Sequence, residues 1–226
     1  MEHVGICLEN DPMTLHGNIG FIRKSSFAPQ PALRSLQAIV LTVLLLALST
    51  GIGAAQATSP AKSQDHVYLL RGAFNIFSLG MDEIADKLRR QGVNTTVTNY
   101  LSWSSLADEA AAEYKTGRVR TIILVGHSFG ATAVTEMAAR LGQLGVPVKL
   151  AIGLDPTLRM TASGHVDRYI NYYIAHGMGN AVDRGRHFSG VVQNVDVEKN
   201  NALNHFNIDK NRVLQEQVLR EIRAAL

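Results

Sequence analysis

A chain of 226 residues that is 46% hydrophobic and 18% charged has the make-up of an ordinary globular protein. Its net charge of +3 is carried by scattered basic residues with no aromatic interleaving, which gives no footprint for nucleic acid and too little attraction for a membrane surface. The single cysteine, Cys7, lies in the first quarter, so the remainder can form no disulfide and can use no cysteine nucleophile, a composition that suits an oxidising compartment.

That first quarter reads as a leader. Arg23, Lys24 and Arg34 precede the apolar run Ser35 to Leu48, and small residues then lead to an Ala55-x-Ala57 site. A positive region, a short apolar core and small residues before a cut are the marks of a secretory signal peptide, with cleavage expected after Ala57. The apolar core is shorter than the roughly 20 residues that span a bilayer comfortably. A membrane anchor over residues 36–55 is the rival reading. The acidic residues Glu2, Glu9 and Asp11 are foreign to such a leader and point to Met13 as the true start. The expected location is therefore secreted or periplasmic. Residues 58–226 are expected to form one domain, large enough to bury about 70% of its unfolded surface.

Along that domain, Asp65 to Leu70 is a short apolar strand ending at Arg71-Gly72. Ser78 is placed to cap a helix over Leu79–Gly92, with Gly92 as its stop. Residues 93–101 are β-branched and strand-like. Residues 104–117 begin with serine caps, are rich in alanine and end at Gly117. Residues 120–126 form a near-continuous apolar strand, and a helix is expected from about Ala131 to Gly142. Residues 146–155 give another strand, ending at Asp155-Pro156, and 168–175 and 190–197 give two more. The last segment carries Val213, Leu214, Val218, Leu219 and Ile222 at helical spacing.

Strands alternating with helices predict an α/β fold: a three-layer, doubly wound, mainly parallel sheet with helices on both faces. The strands lack polar alternation, as covered faces require. Chemistry in such sheets gathers at the carboxyl ends of the strands, which directs attention to Gly72-Ala73, Ser128, Asp155 and the loop beyond residue 197.

Ser128 sits in Gly126-His127-Ser128-Phe129-Gly130, between an apolar strand and a helix. A turn this tight strains the serine backbone, and Gly126 and Gly130 remove side chains that would collide. The hydroxyl is then presented over the positive end of the helix. A serine needs a base, and the base needs an orienting acid. Six histidines follow the leader. His205, between the last strand and the terminal helix, is favoured, with His187 next. His127 is expected to pack or shape the pocket, His66 to be structural, and His165 and His176 to be surface residues. Asp155, at the end of the strand after the elbow helix, is the favoured acid, with Asp183 the rival. Asp196 falls within a strand and Asp209 reads as a helix cap. Two backbone N–H groups must receive an oxyanion: Phe129, directly after the serine, and Ala73, with Phe74 also possible.

With Gly-His-Ser-Phe-Gly, Gly-Leu-Asp-Pro (153–156) and Asn-His-Phe-Asn-Ile (204–208) in that order, residues 65–226 resemble the α/β-hydrolase superfamily, most closely its short thioesterase-, lipase- and cutinase-like members. The resemblance implies hydrolysis of an ester or thioester by a Ser128-His205-Asp155 triad, with no cofactor and no metal. An acyltransferase or an inert binding protein would carry the same residues. The family commonly has His-Gly where this chain has Arg71-Gly72. Arg71 is either a solvated strand end or a receiver for an anionic substrate. No long insertion forms a lid, so residues 157–166 and 176–188 are the only expected cover over an open, shallow pocket. Oligomeric state is left open.

Overall fold

The order of hydrophobic stretches in the sequence becomes an order of strands in space. The computed structural model describes residues 64–73, 78–186, 188–199 and 202–226. The sequence readings of the leader, Phe74 and His187 lie outside the described residues. In chain order the elements are β1 (Asp65–Arg71), α1 (Gly80–Arg89), β2 (Asn94–Asn99), a 3₁₀ turn (Tyr100–Ser102) and α2 (Trp103–Lys115). There follow β3 (Thr121–His127), α3 (Phe129–Gln143), β4 (Val148–Leu154), β5 (Met160–Ala162), β6 (Val166–Tyr173), β7 (Val182–Arg184), β8 (Val191–Asp196) and α4 (Arg212–Ala225).

The main sheet has six strands in the order β2-β1-β3-β4-β6-β8, and every pairing in it is parallel. The chain starts at β1, steps outward to β2, then returns across β1 to build the sheet in the other direction. The strand order therefore reverses between β1 and β3, where their carboxyl ends open a crevice for a site. β1, β3 and β4 are apolar almost throughout because both of their faces are covered, Val67 to Leu70 and Ile122 to Val125 being at most 1% exposed. The outer strands depart from that expectation. β2 is half-buried along its whole length and β8 is largely exposed, as befits edges with a neighbour on one side only.

Two layers of helix enclose the sheet. One face packs against α1 and α4 through Met81, Ile84, Leu88, Val218, Leu219 and Ile222. The other packs against α2 and α3 through Leu106, Ala107, Val134, Met137 and Leu141. Each fully buried aliphatic chain contributes roughly 1.5–3 kcal/mol. In α1 the buried residues fall at i, i+3, i+4 and i+7, with Asp82 and Glu83 in the first turn and Lys87 and Arg89 in the last, as the helix dipole favours. α4 buries Leu214, Val218, Leu219 and Ile222, whereas Val213, which the spacing also placed on that face, is 74% exposed.

Capping differs from the sequence reading in three places. Ser78 does not cap α1, and neither do serines cap α2 through their side chains. Asn211, not Asp209, caps α4, its side chain accepting the Leu214 N–H at 3.1 Å. Asp209 instead reaches the start of α1, where its Oδ2 accepts the Gly80 N–H at 2.9 Å. The two segments expected to be loops over the site also hold structure: β5 and β7 pair in parallel as a small second sheet. No large lid is present among the described residues. The architecture is a three-layer, doubly wound α/β fold around an all-parallel main sheet.

Candidate active site

β3 ends at His127 and α3 begins at Phe129, leaving one residue for the whole change of direction. That residue, Ser128, has φ 59° and ψ −122°, a region that non-glycine residues enter only at a cost of roughly 1–3 kcal/mol. The surroundings hold it there. The Ser128 N–H donates to the Leu154 carbonyl at 2.9 Å, and the Ser128 carbonyl accepts from Ala131 and Thr132. The flanking glycines are demanded by contact: a Cβ on Gly126 would lie 2.2 Å from the Gly130 carbonyl oxygen, and one on Gly130 would lie 2.0 Å from that of Leu70. The helix start is thereby pressed against the ends of β1 and β3, and the serine stands at the point where the strand order reverses.

β4 delivers the acid. Asp155 follows its last residue, is wholly buried and has φ 53°, the other positive-φ non-glycine residue among those described. Its N–H donates to the Tyr172 carbonyl at 2.8 Å. Its carboxylate is fully engaged: Oδ1 accepts the Ile174 N–H at 2.9 Å, and Oδ2 lies 2.7 Å from His205 Nδ1. The backbone of Gly179 closes over this carboxylate so tightly that a Cβ there would sit 1.8 Å from Oδ1.

The third side chain arrives from the loop between β8 and α4. His205 is 8% exposed, and its Nε2 lies 2.9 Å from Ser128 Oγ. Hydroxyl, imidazole and carboxylate are thus joined in a continuous hydrogen-bonded line. Asp155 can only accept, so Nδ1 carries the proton toward it, and Nε2 is left as the acceptor facing the serine. The ring is further held edge-on by Phe206, with centroids 5.4 Å apart.

Among the described residues, the rival acid Asp183 and the residues that sequence reasoning set aside lie away from the serine. Asp183 is exposed and paired with Arg159 at 3.0 Å. Asp196 accepts the N–H groups of Ala175 and Glu198. His176 is exposed and bonded to Glu198, which raises its pKa. His66 lies in β1 with Nε2 2.9 Å from Thr96 Oγ1 and its ring stacked on Tyr68. Arg71 is not a free cation: its guanidinium holds Asp82 through two hydrogen bonds, one of 2.8 Å from Nε.

A cavity of about 120 Å³ opens beside the serine. Ala73 and Phe129 line it together with Ser128 and His205, and Thr157, Met178 and Phe206 form its outer wall. Phe129 is the first residue of α3, where backbone N–H groups lack partners within the helix. Its ring stacks on Tyr100 at 5.4 Å, fixing the turn from outside. Sequence reasoning missed one residue here, Ser78, while His127 is the histidine it expected to pack or shape the pocket. Ser78 and His127 also line the cavity, both 1% exposed, and are bonded to each other. No local pattern marks Ser78, which fits a helix cap equally well.

A parallel, doubly wound sheet with a serine on a tight strand-to-helix turn at its switch point is the setting of a nucleophile elbow. No family model and no curated protein sequence matches the chain. Among solved structures, one that it resembles is a candidate hydrolase of the alpha/beta superfamily from Xanthomonas campestris pv. campestris, at 16% identity and TM-score 0.41, covering 69% of this chain and 99% of that one. A second is YbtT, a type II thioesterase from the yersiniabactin NRPS/PKS biosynthetic pathway, at 12% identity and TM-score 0.41, covering 72% and 94%. A third is an uncharacterized protein from Bacillus cereus ATCC 10987, at 10% identity and TM-score 0.44, covering 87% and 70%. At such scores the likeness decides nothing about chemistry, which the site's own geometry must carry.

Proposed function

We propose that this protein is a serine hydrolase that cleaves an ester or thioester through an acyl-enzyme. The observation that carries the reading is the unbroken line from Ser128 Oγ to His205 Nε2 at 2.9 Å and from His205 Nδ1 to Asp155 Oδ2 at 2.7 Å. Ser128 Oγ attacks the carbonyl carbon while His205 Nε2 takes its proton. Asp155 keeps the ring in the required tautomer and stabilises the imidazolium. The carbonyl oxygen, now negative, is received by the N–H groups of Phe129 and Ala73. His205 returns the proton to the departing alcohol or thiol, then activates water to release the acid. Three features support the assignment over a chance cluster: the strain at Ser128, the burial of all three side chains, and the full use of both Asp155 oxygens.

The cavity is small beside the 300–1,000 Å³ usual for small-molecule sites, which favours a short acyl group. The leader read from residues 1–57 supports export, so the proposed place of action is outside the cytoplasm.

The test is direct. Wild type should hydrolyse p-nitrophenyl acetate, and a fluorophosphonate should label Ser128. Ser128→Ala should lose both with an unaltered circular dichroism spectrum. Retained turnover in that variant removes Ser128 from the reaction, and an unlabelled, inactive wild type makes the protein a binding protein on a hydrolase fold. Product analysis with added alcohols separates transfer from hydrolysis.

A further inference from the structure

We propose that Ser78 and His127 form a directed hydrogen-bond relay that locks the backbone of Gly72-Ala73 and the backbone of His205 into one geometry, so that both are positioning residues for the hydrolysis. The inference rests on the serine-hydrolase reading above.

The direction of every bond follows from chemistry. His127 Nε2 lies 2.9 Å from the backbone carbonyl of His205. A carbonyl can only accept, so Nε2 carries the proton. Burial, the largest influence on this imidazole, pulls its pKa down to about 4 against the opposing pull of that same carbonyl. At neutral pH the ring is therefore uncharged, and its Nδ1 is a bare acceptor. Ser78 Oγ lies 2.8 Å from that Nδ1 and must donate its hydroxyl proton to it. The oxygen of Ser78 then accepts the Gly72 N–H at 2.9 Å. The chain reads Gly72 N–H to Ser78 O–H to His127 Nδ1, then His127 Nε2–H to the His205 carbonyl. No donor or acceptor in it is wasted.

Its two ends matter more than its middle. One end is Gly72, whose neighbour Ala73 is the second oxyanion donor of the proposed mechanism. That backbone passes close over the nucleophile, since a Cβ on Gly72 would lie 2.9 Å from Ser128 Cβ. The other end is the backbone of His205 itself. The relay therefore ties Gly72, the neighbour of a group that receives the oxyanion, to the residue that moves the proton, 133 positions apart in the sequence. It passes through His127, the residue before the nucleophile, so the backbone beside the oxyanion donor, the elbow and the backbone of the base share one strut.

Neutrality of His127 is part of the design. Its ring centroid is 5.1 Å from that of His205. A cation at His127 would oppose the imidazolium that must form on His205 during each proton transfer. A buried, uncharged ring supplies the bonds without the charge.

Four variants test this: Ser78→Ala, Ser78→Thr, His127→Phe, and the double variant Ser78→Ala/His127→Phe. They are assayed for kcat and KM on p-nitrophenyl acetate well below their melting temperatures, beside fluorophosphonate labelling of Ser128. A misplacement of about 1 Å at reacting groups costs on the order of 100-fold. The expected result is a fall in kcat of about 10- to 100-fold in each single alanine or phenylalanine variant, with KM within about twofold. Ser78→Thr, which keeps the hydroxyl, should recover most of the loss. The double variant should be no slower than the worse single one within about threefold, because either change breaks the same line. NMR of ¹⁵N-labelled histidine should show His127 as the neutral Nε2–H tautomer at pH 6. Unaltered kcat, a change confined to KM, fully additive losses, or the opposite tautomer each overturns the relay. Should His127→Phe fail to fold, Ser78→Ala, which deletes a single atom, decides the matter. Absence of labelling and turnover in wild type would overturn the hydrolase reading and the relay with it; normal wild-type labelling with unimpaired variants would overturn the relay alone.

Discussion

Replacing Asp155 by asparagine isolates the role of charge and hydrogen-bond direction from that of shape. The two carboxylate oxygens have different duties: Oδ1 accepts the Ile174 N–H at 2.9 Å and Oδ2 faces His205 Nδ1 at 2.7 Å. Asparagine offers one oxygen. The Ile174 N–H is fixed in the backbone and cannot turn away, and leaving it unpaired in a wholly buried position costs about 1–3 kcal/mol. The amide oxygen therefore takes Ile174 and the NH₂ group faces the imidazole. An NH₂ can only donate, so Nδ1 must accept and the ring proton moves to Nε2. That is the atom 2.9 Å from Ser128 Oγ. A base already carrying its proton cannot take another from the serine. A reversed tautomer of this kind costs about 10⁴ in kcat, or about 5 kcal/mol of barrier. KM for p-nitrophenyl acetate should stay within about twofold, because no substrate contact changes. The melting temperature should stay close to that of wild type, since a neutral amide is easier to bury than a carboxylate. The assay is steady-state hydrolysis beside the rate of fluorophosphonate labelling, and both should fall together. An asparagine variant within about tenfold of wild type would refute the reasoning: the carboxylate would then not be setting the tautomer.

Further expectations concern the frame around the site. Gly130→Ala brings a methyl group to 2.0 Å from the Leu70 carbonyl oxygen, so the elbow must shift. An overpacking cost of about 3 kcal/mol lowers the melting temperature by roughly 10 °C in a domain of this size, and calorimetry checks it. Asp209 is wholly buried, and its pKa is raised by burial from 3.8 to about 6. The folded state thus holds this proton more tightly than the unfolded one, so its contribution to stability is greatest below pH 4 and is lost as pH rises to 6. The loss is about 3 kcal/mol. Urea unfolding at pH 4.5 and 7 should show that slope shrink in Asp209→Asn; an unchanged difference would refute the assignment. Arg71→Gln breaks a partly exposed ion pair with Asp82 and should cost at most about 1 kcal/mol. Because the guanidinium is committed to Asp82, the ratio of kcat/KM for neutral and anionic esters should not change.

The central features of this site could be read from the sequence because they are local. Gly126, Ser128 and Gly130 must lie within five residues for the turn to exist, and a strand must precede them and a helix follow. Asp155 was legible for a similar reason, as the first residue past the next strand in a parallel sheet whose carboxyl ends share one edge. His205 followed from its place between the last strand and the terminal helix. What escaped depended on contacts that no short window contains. Ser78 before an apolar helical stretch has every mark of a cap, and only the approach of His127 from β3 gives its hydroxyl other partners. Asp209 was likewise placed on the helix that follows it, though its carboxylate serves one that begins 129 residues earlier. The pairing of β5 with β7 was hidden because three-residue strands carry no periodicity to detect.

The arrangement of β-strands and loops also sets the order in which the proposed site can be assembled. His205 follows Ser128 by 77 residues, and Asp209, which anchors the first helix, follows His205 by four. A polypeptide still being made would already contain the serine and its proposed acid but not the imidazole that pairs with them. Under the proposed mechanism, reactivity would begin only when the segment bearing His205 folded back across the sheet, a safety catch set by the order of these residues along the chain.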